Sequence, residues 1–239
     1  MAERREKREM RRILMGVGLC ALFLSVSVAH AGIVGYLSTD GQLLGNGAWA
    51  SAAGGYRVTW SIDRNGDGSW HYAYSFSFED GSSLKKLTSH FIISLSDNIS
   101  SEDIYNLTGD WQEVCFGVFG PAPSNPGFPE DETISGMKID LSGAQTAVAF
   151  DSNRQPTWGD FYAKDGKTKG LWNYSYNVDI GVDVANPHDY TGTAVDAEGG
   201  ELAKMLVPDT VIPEPCAFFL MVFGGVIIRR RGVGTFKNR

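Results

Sequence analysis

Trp70-His71-Tyr72-Ala73-Tyr74-Ser75-Phe76-Ser77-Phe78 puts five aromatic side chains on one parity and four other side chains on the opposite one. An extended chain turns successive side chains to opposite faces, so a period of two writes a strand with one buried face. The five rings read as core, because each buries a large apolar area; a sugar-stacking platform is the rival reading of the same row. Upstream, Tyr56, Val58, Trp60 and Ile62 share one parity. Downstream, Trp172, Tyr174, Tyr176 and Val178 alternate with Asn173, Ser175, Asn177 and Asp179. Each reads as a half-buried strand.

Further strands are expected over 90–96, 114–119, 134–140, 146–150 and 160–164. Helical periodicity is nearly absent, with a single turn expected over 101–106. Eight or nine strands without intervening helices, joined by Gly, Asn, Asp and Pro, imply an all-β fold, an antiparallel β-sandwich. A jelly-roll-like order is one arrangement that fits. The Pro121 to Pro129 segment reads as a long stiff loop, and 187–200 as a polar, Gly-rich loop.

The chain has 239 residues, 43% of them hydrophobic, with 29 Gly, which suits one domain of short strands and tight turns. Its 21 basic and 28 acidic residues are unevenly placed. The first twelve residues hold six Lys/Arg and three Glu, and the segment from Arg229 holds five Lys/Arg. Removing those eleven basic and three acidic residues leaves ten basic against twenty-five acidic between them. So acidic a body argues against nucleic-acid binding, which needs a cationic face. Of three Cys, only Cys115 lies in the body, so an internal disulfide is excluded there; a buried, inert thiol is expected.

The two ends differ from the body. Residues 1–12 are charged, 13–28 are apolar, and Ala29-His30-Ala31 supplies small residues at −3 and −1 before Gly32. That is the anatomy of a secretory signal peptide over 1–31. The C-terminal segment, 209–239, holds Pro213-Glu214-Pro215, an apolar run over 216–228, and Arg229-Arg230-Arg231. Two prolines bar a continuous helix through the junction. Thirteen apolar residues span about 20 Å as a helix, short of a bilayer core of about 30 Å. The Arg triplet holds its end in the cytoplasm and leaves residues 32–208 outside, with snorkelling Arg stems easing the short span.

Motif, apolar run and Arg cluster in this order resemble the PEP-CTERM sorting tail of Gram-negative bacteria. In that family an integral-membrane exosortase reads Pro-Glu-Pro and processes the tail. The resemblance covers about the last 27 residues. It implies an exported protein of the cell surface, processed by signal peptidase and exosortase. Membrane contact would run through the single hydrophobic C-terminal helix before processing. Segments 89–93, 150–154 and 158–166 also look similar to recurring stretches in the bodies of other such proteins.

Chemistry-bearing motifs are sparse. Asp63-Arg64-Asn65-Gly66-Asp67-Gly68 matches the opening of a calcium loop, with Asp63, Asn65 and Asp67 as oxygen ligands. Tyr74 stands where the loop's closing Glu belongs, and a hairpin turn built on Asn-Gly and Asp-Gly is the alternative. No other cofactor is expected. His71, His90 and His188 have no metal-ligand spacing. Gly-x-Ser-x-Gly, His-Glu-x-x-His and P-loop patterns are missing. Trp111 and Trp158, beside Gly and Asp in expected loops, are the candidate exposed ligand contacts. The expected function is a non-catalytic surface or matrix protein associated with exopolysaccharide. A carbohydrate-binding module using those two Trp is the alternative, and a glycoside hydrolase using a carboxylate pair is the third.

Overall fold

A computed structural model describes residues 32–96, 98–109, 111–141 and 146–209. The leader with Ala29 and Ala31, the Pro213-Glu214-Pro215 motif, the apolar run and the Arg cluster lie outside the described residues. The described chain is all-β with antiparallel sheets. Its fifteen strands are β1 (Ile33–Ser38), β2 (Leu43–Asn46), β3 (Arg57–Arg64), β4 (Trp70–Ser77), β5 (His90–Ser94), β6 (Ile104–Thr108), β7 (Trp111–Phe119), β8 (Ile134–Leu141), β9 (Ala147–Ser152), β10 (Pro156–Gly159), β11 (Phe161–Thr168), β12 (Leu171–Asn177), β13 (Ala194–Val195), β14 (Glu201–Leu202) and β15 (Met205–Pro208). No described helix is long and apolar enough to cross a membrane.

A five-stranded sheet runs β1-β3-β4-β9-β6 and a six-stranded sheet runs β2-β12-β11-β5-β8-β7. Two short ribbons, β10-β15 and β13-β14, complete the set. The aromatic parity of β4 is buried, as its period of two demands: Tyr72, Tyr74 and Phe76 join Val58, Trp60 and Ile62 of β3 and Phe150 of β9. Phe91 of β5 lies 5.3 Å from Tyr74 and 5.0 Å from Phe76, ring to ring, so the two sheets share one core. The rival sugar platform on β4 is thereby ruled out.

Three expectations need correction. More strands form than the eight or nine expected, because β10 and β15 are buried at all four positions and carry no alternation to read. The segment 187–200 is not all loop, since it contains β13. In β12 the alternation holds, yet the fully buried parity is the polar one: Asn173, Ser175 and Asn177 are 0% exposed while Trp172, Tyr174 and Tyr176 are only half-buried. Hydrogen bonds make the burial of the two asparagines tolerable. Asn173 donates to the Gly166 carbonyl (2.6 Å) and accepts from the Ala48 amide (2.7 Å). Asn177 accepts from the Phe161 amide (2.9 Å).

The outer face of the six-stranded sheet carries a second cluster of Ile92, Phe128, Ile134, Tyr162 and Ile180. The expected proline loop supplies its cover: Phe128 packs 5.1 Å from Tyr162, whose hydroxyl donates to the Pro126 carbonyl (2.9 Å). Gly127 sits in the left-handed region (φ 74°) with the Tyr174 ring where a side chain would be, so glycine is required twice over.

Candidate functional site

A cleft of about 590 Å³ opens beside β10 and β15, walled by Ser94, Trp158, Asp160, Asp183, Lys204 and Asp209. Trp158 was expected in a loop as an exposed contact. It lies in β10 and is 9% exposed, because its ring packs edge-on against Trp60 (6.2 Å) and its indole N–H donates to the Asp189 carbonyl (2.8 Å). At the cleft floor, Asp160 accepts from the Lys204 ammonium (2.6 Å), from Asn177 (2.6 Å) and from the Gly181 amide (3.1 Å). Lys204 is 3% exposed and Asp160 only partly buried, so the cation end of this pair is held inside the fold while the carboxylate accepts three bonds. The pair organises the cleft walls.

The Asp63 to Gly68 segment closes the β3–β4 hairpin. The Asn65 amide donates to the Ser69 carbonyl (2.8 Å) and the Gly68 amide to the Asn65 carbonyl (3.1 Å). Asp67 accepts from the Ser69 hydroxyl (2.7 Å) and amide (3.0 Å), which together hold its carboxyl below the usual range. Asp63 accepts from Ser61 (3.2 Å). The side-chain amide of Asn65 donates to Ser69 (2.9 Å) and to Asp151 (3.4 Å). Asp151 is the hub of this end of the sheet, meeting His71 at 2.7 Å and accepting from Asn106 at 2.7 Å. Burial pushes the Asp151 carboxyl up, but the donors from Asn106, His71 and Asn65 outweigh it and hold it low. Among the described residues no three His, Cys, Asp or Glu side chains converge on one point.

A third region was missed by sequence reasoning. Trp172, Tyr174 and Tyr176 project from the outer face of β12, with the two tyrosine rings 6.3 Å apart and within 10° of parallel. The ammonium of Lys167 lies 4.8 Å from the Trp172 ring centre and that of Lys164 lies 5.7 Å from it. Burial pushes the Lys164 ammonium below its ordinary pKa. Nearby, Asp140 pairs with Lys138 (3.0 Å) and with His90 (3.1 Å). Alternation tells two faces apart without saying which is inward. The signal that would have found this row is the choice of Asn at positions 173 and 177, a residue able to satisfy backbone groups inside a fold. Trp111, the other expected contact, opens β7 rather than a loop, and is 44% exposed. The expected burial of Cys115 is only partial; desolvation raises its thiol pKa.

In comparisons with known proteins, no family model, no curated protein and no solved structure matches this chain.

Proposed function

We propose that this chain is an exported, exosortase-sorted, non-catalytic protein of the cell surface or matrix, and that it associates with extracellular polysaccharide. The carrying observation is the outward row Trp172, Tyr174 and Tyr176 with Lys164 and Lys167 beside it. Half-exposed rings in a line along one strand offer apolar faces to sugar rings, and the exposed Lys167 ammonium beside them suits acidic or hydroxyl-rich polymers, while Lys164 is buried behind it. The engaged state of Asp160 supports a binding role in preference to hydrolysis at the cleft. This row replaces Trp158 as the contact surface, with Trp111 as an exposed outlier. A calcium role for Asp63, Asn65 and Asp67 is a secondary proposal, supported by the contact of Asn65 with Asp151 (3.4 Å).

The finer architecture we read as a jelly-roll-like sandwich. Its support is the non-consecutive neighbours β4–β9, β5–β11 and β2–β12, each joined through a long crossover. Export and sorting rest on the sequence of the two ends.

Retention on the host's own extracellular polymer tests the reading. Trp172→Ala and Tyr176→Ala should each weaken retention at least several-fold while the far-UV circular dichroism spectrum stays that of a β fold. Equal retention by wild type and both variants would sink the proposed surface. Intact mass of surface-extracted protein tests processing: loss of residues 1–31 and a cut near Pro213-Glu214-Pro215 are expected, and a species that keeps residues 216–228 defeats the sorting reading.

A further inference from the structure

We infer that the polymer held by the aromatic row is acidic, and that one of its anionic groups, a uronate carboxylate or a sulfate ester, seats on Lys164 and Lys167 beside Trp172. The inference rests on the polysaccharide reading above and narrows it to one class of sugar. One charge on this face goes unanswered. Lys164 is 9% exposed, yet among the described residues its ammonium has neither a hydrogen-bond acceptor nor an ion-pair partner. Asp140 and Asp165 favour its charge only from beyond ion-pair range. Asp140 is moreover engaged by Lys138 (3.0 Å) and His90 (3.1 Å). A buried ammonium without an anion is costly, and the face of Trp172, 5.7 Å away, offsets only part of that cost. Lys204, buried as deeply, has Asp160 at 2.6 Å.

A bulge brings Lys167 to the same ring. The register of β11 shifts between Asp165 and Lys167, so Lys164 faces Tyr174 and Lys167, three positions on, faces Trp172. Unbroken alternation would set Gly166 opposite Trp172 and turn Lys167 to the other side of the sheet. With the bulge, two ammonium groups share one indole, at 4.8 and 5.7 Å from its centre, and no described carboxylate pairs with either. Lys169, exposed in the turn between β11 and β12, adds a third cation. Three of the body's ten basic residues thus fall within six positions.

The register also aligns Tyr174, Lys164, His90, Asp140 and Glu113 across β12, β11, β5, β8 and β7. Of the two acids in that line, Asp140 is taken, and Glu113 stands three strands from Lys164, about 14 Å at the usual strand spacing. An acidic sugar meets both features of the site. Its ring face stacks on Trp172 and Tyr174, and its anionic group accepts charge-assisted hydrogen bonds from the ammonium groups. A neutral sugar supplies only the stacking.

Calorimetric titration of the full chain in mild detergent tests this with two matched pairs of probes. Oligogalacturonate is compared with its methyl ester, and dextran sulfate with dextran. At least one acidic probe should bind tenfold or more tighter than its neutral partner, with affinity falling as salt rises. The pair that discriminates tells a carboxylate seat from a sulfate seat. Lys164→Met keeps an apolar stem and removes the unpaired buried charge. It should weaken binding of the acidic probe at least tenfold without lowering the melting temperature. Failure of both acidic probes to bind, or equal affinity within both pairs, overturns the inference. So does a Lys164→Met variant that binds like wild type or melts well below it, since the lysine is then idle or structural. In each of those cases retention on the host's own polymer still decides the polysaccharide reading separately.

Discussion

Asp103 and Arg154 show how one pair of residues can close a loop onto a sheet. The guanidinium donates to Asp103 (2.9 Å) and to the side chain and carbonyl of Asn98 (3.2 and 3.0 Å). The other work of Asp103 is local: with Ser100 it forms a capping box on the 3-10 turn Ser101–Asp103, accepting from the Ser100 amide (2.8 Å). The one turn expected over 101–106 is shortened to these three residues because Ile104 joins β6. The donated bonds from Arg154 hold the Asp103 carboxyl at about 2, below its ordinary value. A depressed carboxyl contributes stability that is fully present above its unfolded value, near 3.9, and lost as pH falls toward 2. Both residues are 8% exposed, so Asp103→Asn should cost about 3 kcal/mol at neutral pH by stranding a buried cation. Urea titrations of wild type and variant should converge between pH 4 and pH 2; a gap that persists at pH 2 contradicts the assignment. Neither partner was legible beforehand, since a pair 51 residues apart leaves no local mark.

Single strands were legible in proportion to how unequal their two faces are. β3 and β4 set large apolar side chains against polar or small ones and read correctly. β12 sets rings against amides and hydroxyls, and its inward face was decided by hydrogen bonds that only the folded neighbours supply. β10 and β15 are buried on both sides and have no pattern. The same dependence on neighbours separates two glycines that face each other across β7 and β8. A Cβ on Gly136 would fall 1.9 Å from the Ile93 carbonyl oxygen, whereas one on Gly117 would meet nothing within 4 Å. Gly136→Ala should therefore cost about 1–3 kcal/mol through overpacking of β5 against β8. Gly117→Ala should change stability by no more than about 0.5 kcal/mol. Equal stability of the two variants in denaturant would show that β8 has slack the geometry denies.

Taken whole, the molecule keeps many of its hydroxyls from ionising. Burial raises the tyrosines at 56, 72, 74 and 162 far above the ordinary phenol range, and Tyr190 to about 12. A raised pKa contributes stability that is fully present below the unfolded value of about 10 and is lost as pH climbs past it. Alkaline titration should then show the buried tyrosines ionising in one steep step, coincident with loss of the β circular dichroism signal. Ionisation of these buried tyrosines with the fold intact would contradict the packing. The all-β class was readable from composition and period, because turn residues and alternation are local. Strand order was not, because partners are chosen by the whole core. β2 closes the six-stranded sheet against β12, with the Ala48 amide bonded 125 positions away at Asn173, and the Tyr74 hydroxyl donates to a carbonyl 132 positions along, at Leu206. Contacts of such separation are slow to find: loop-closure entropy is spent before any reward arrives, and sheets wired this way fold in milliseconds to seconds. A chain released N-terminus first must therefore hold β2 unpaired until β12, at Leu171–Asn177, has emerged. That interval, rather than the finished fold, is when this molecule most needs protection from its neighbours.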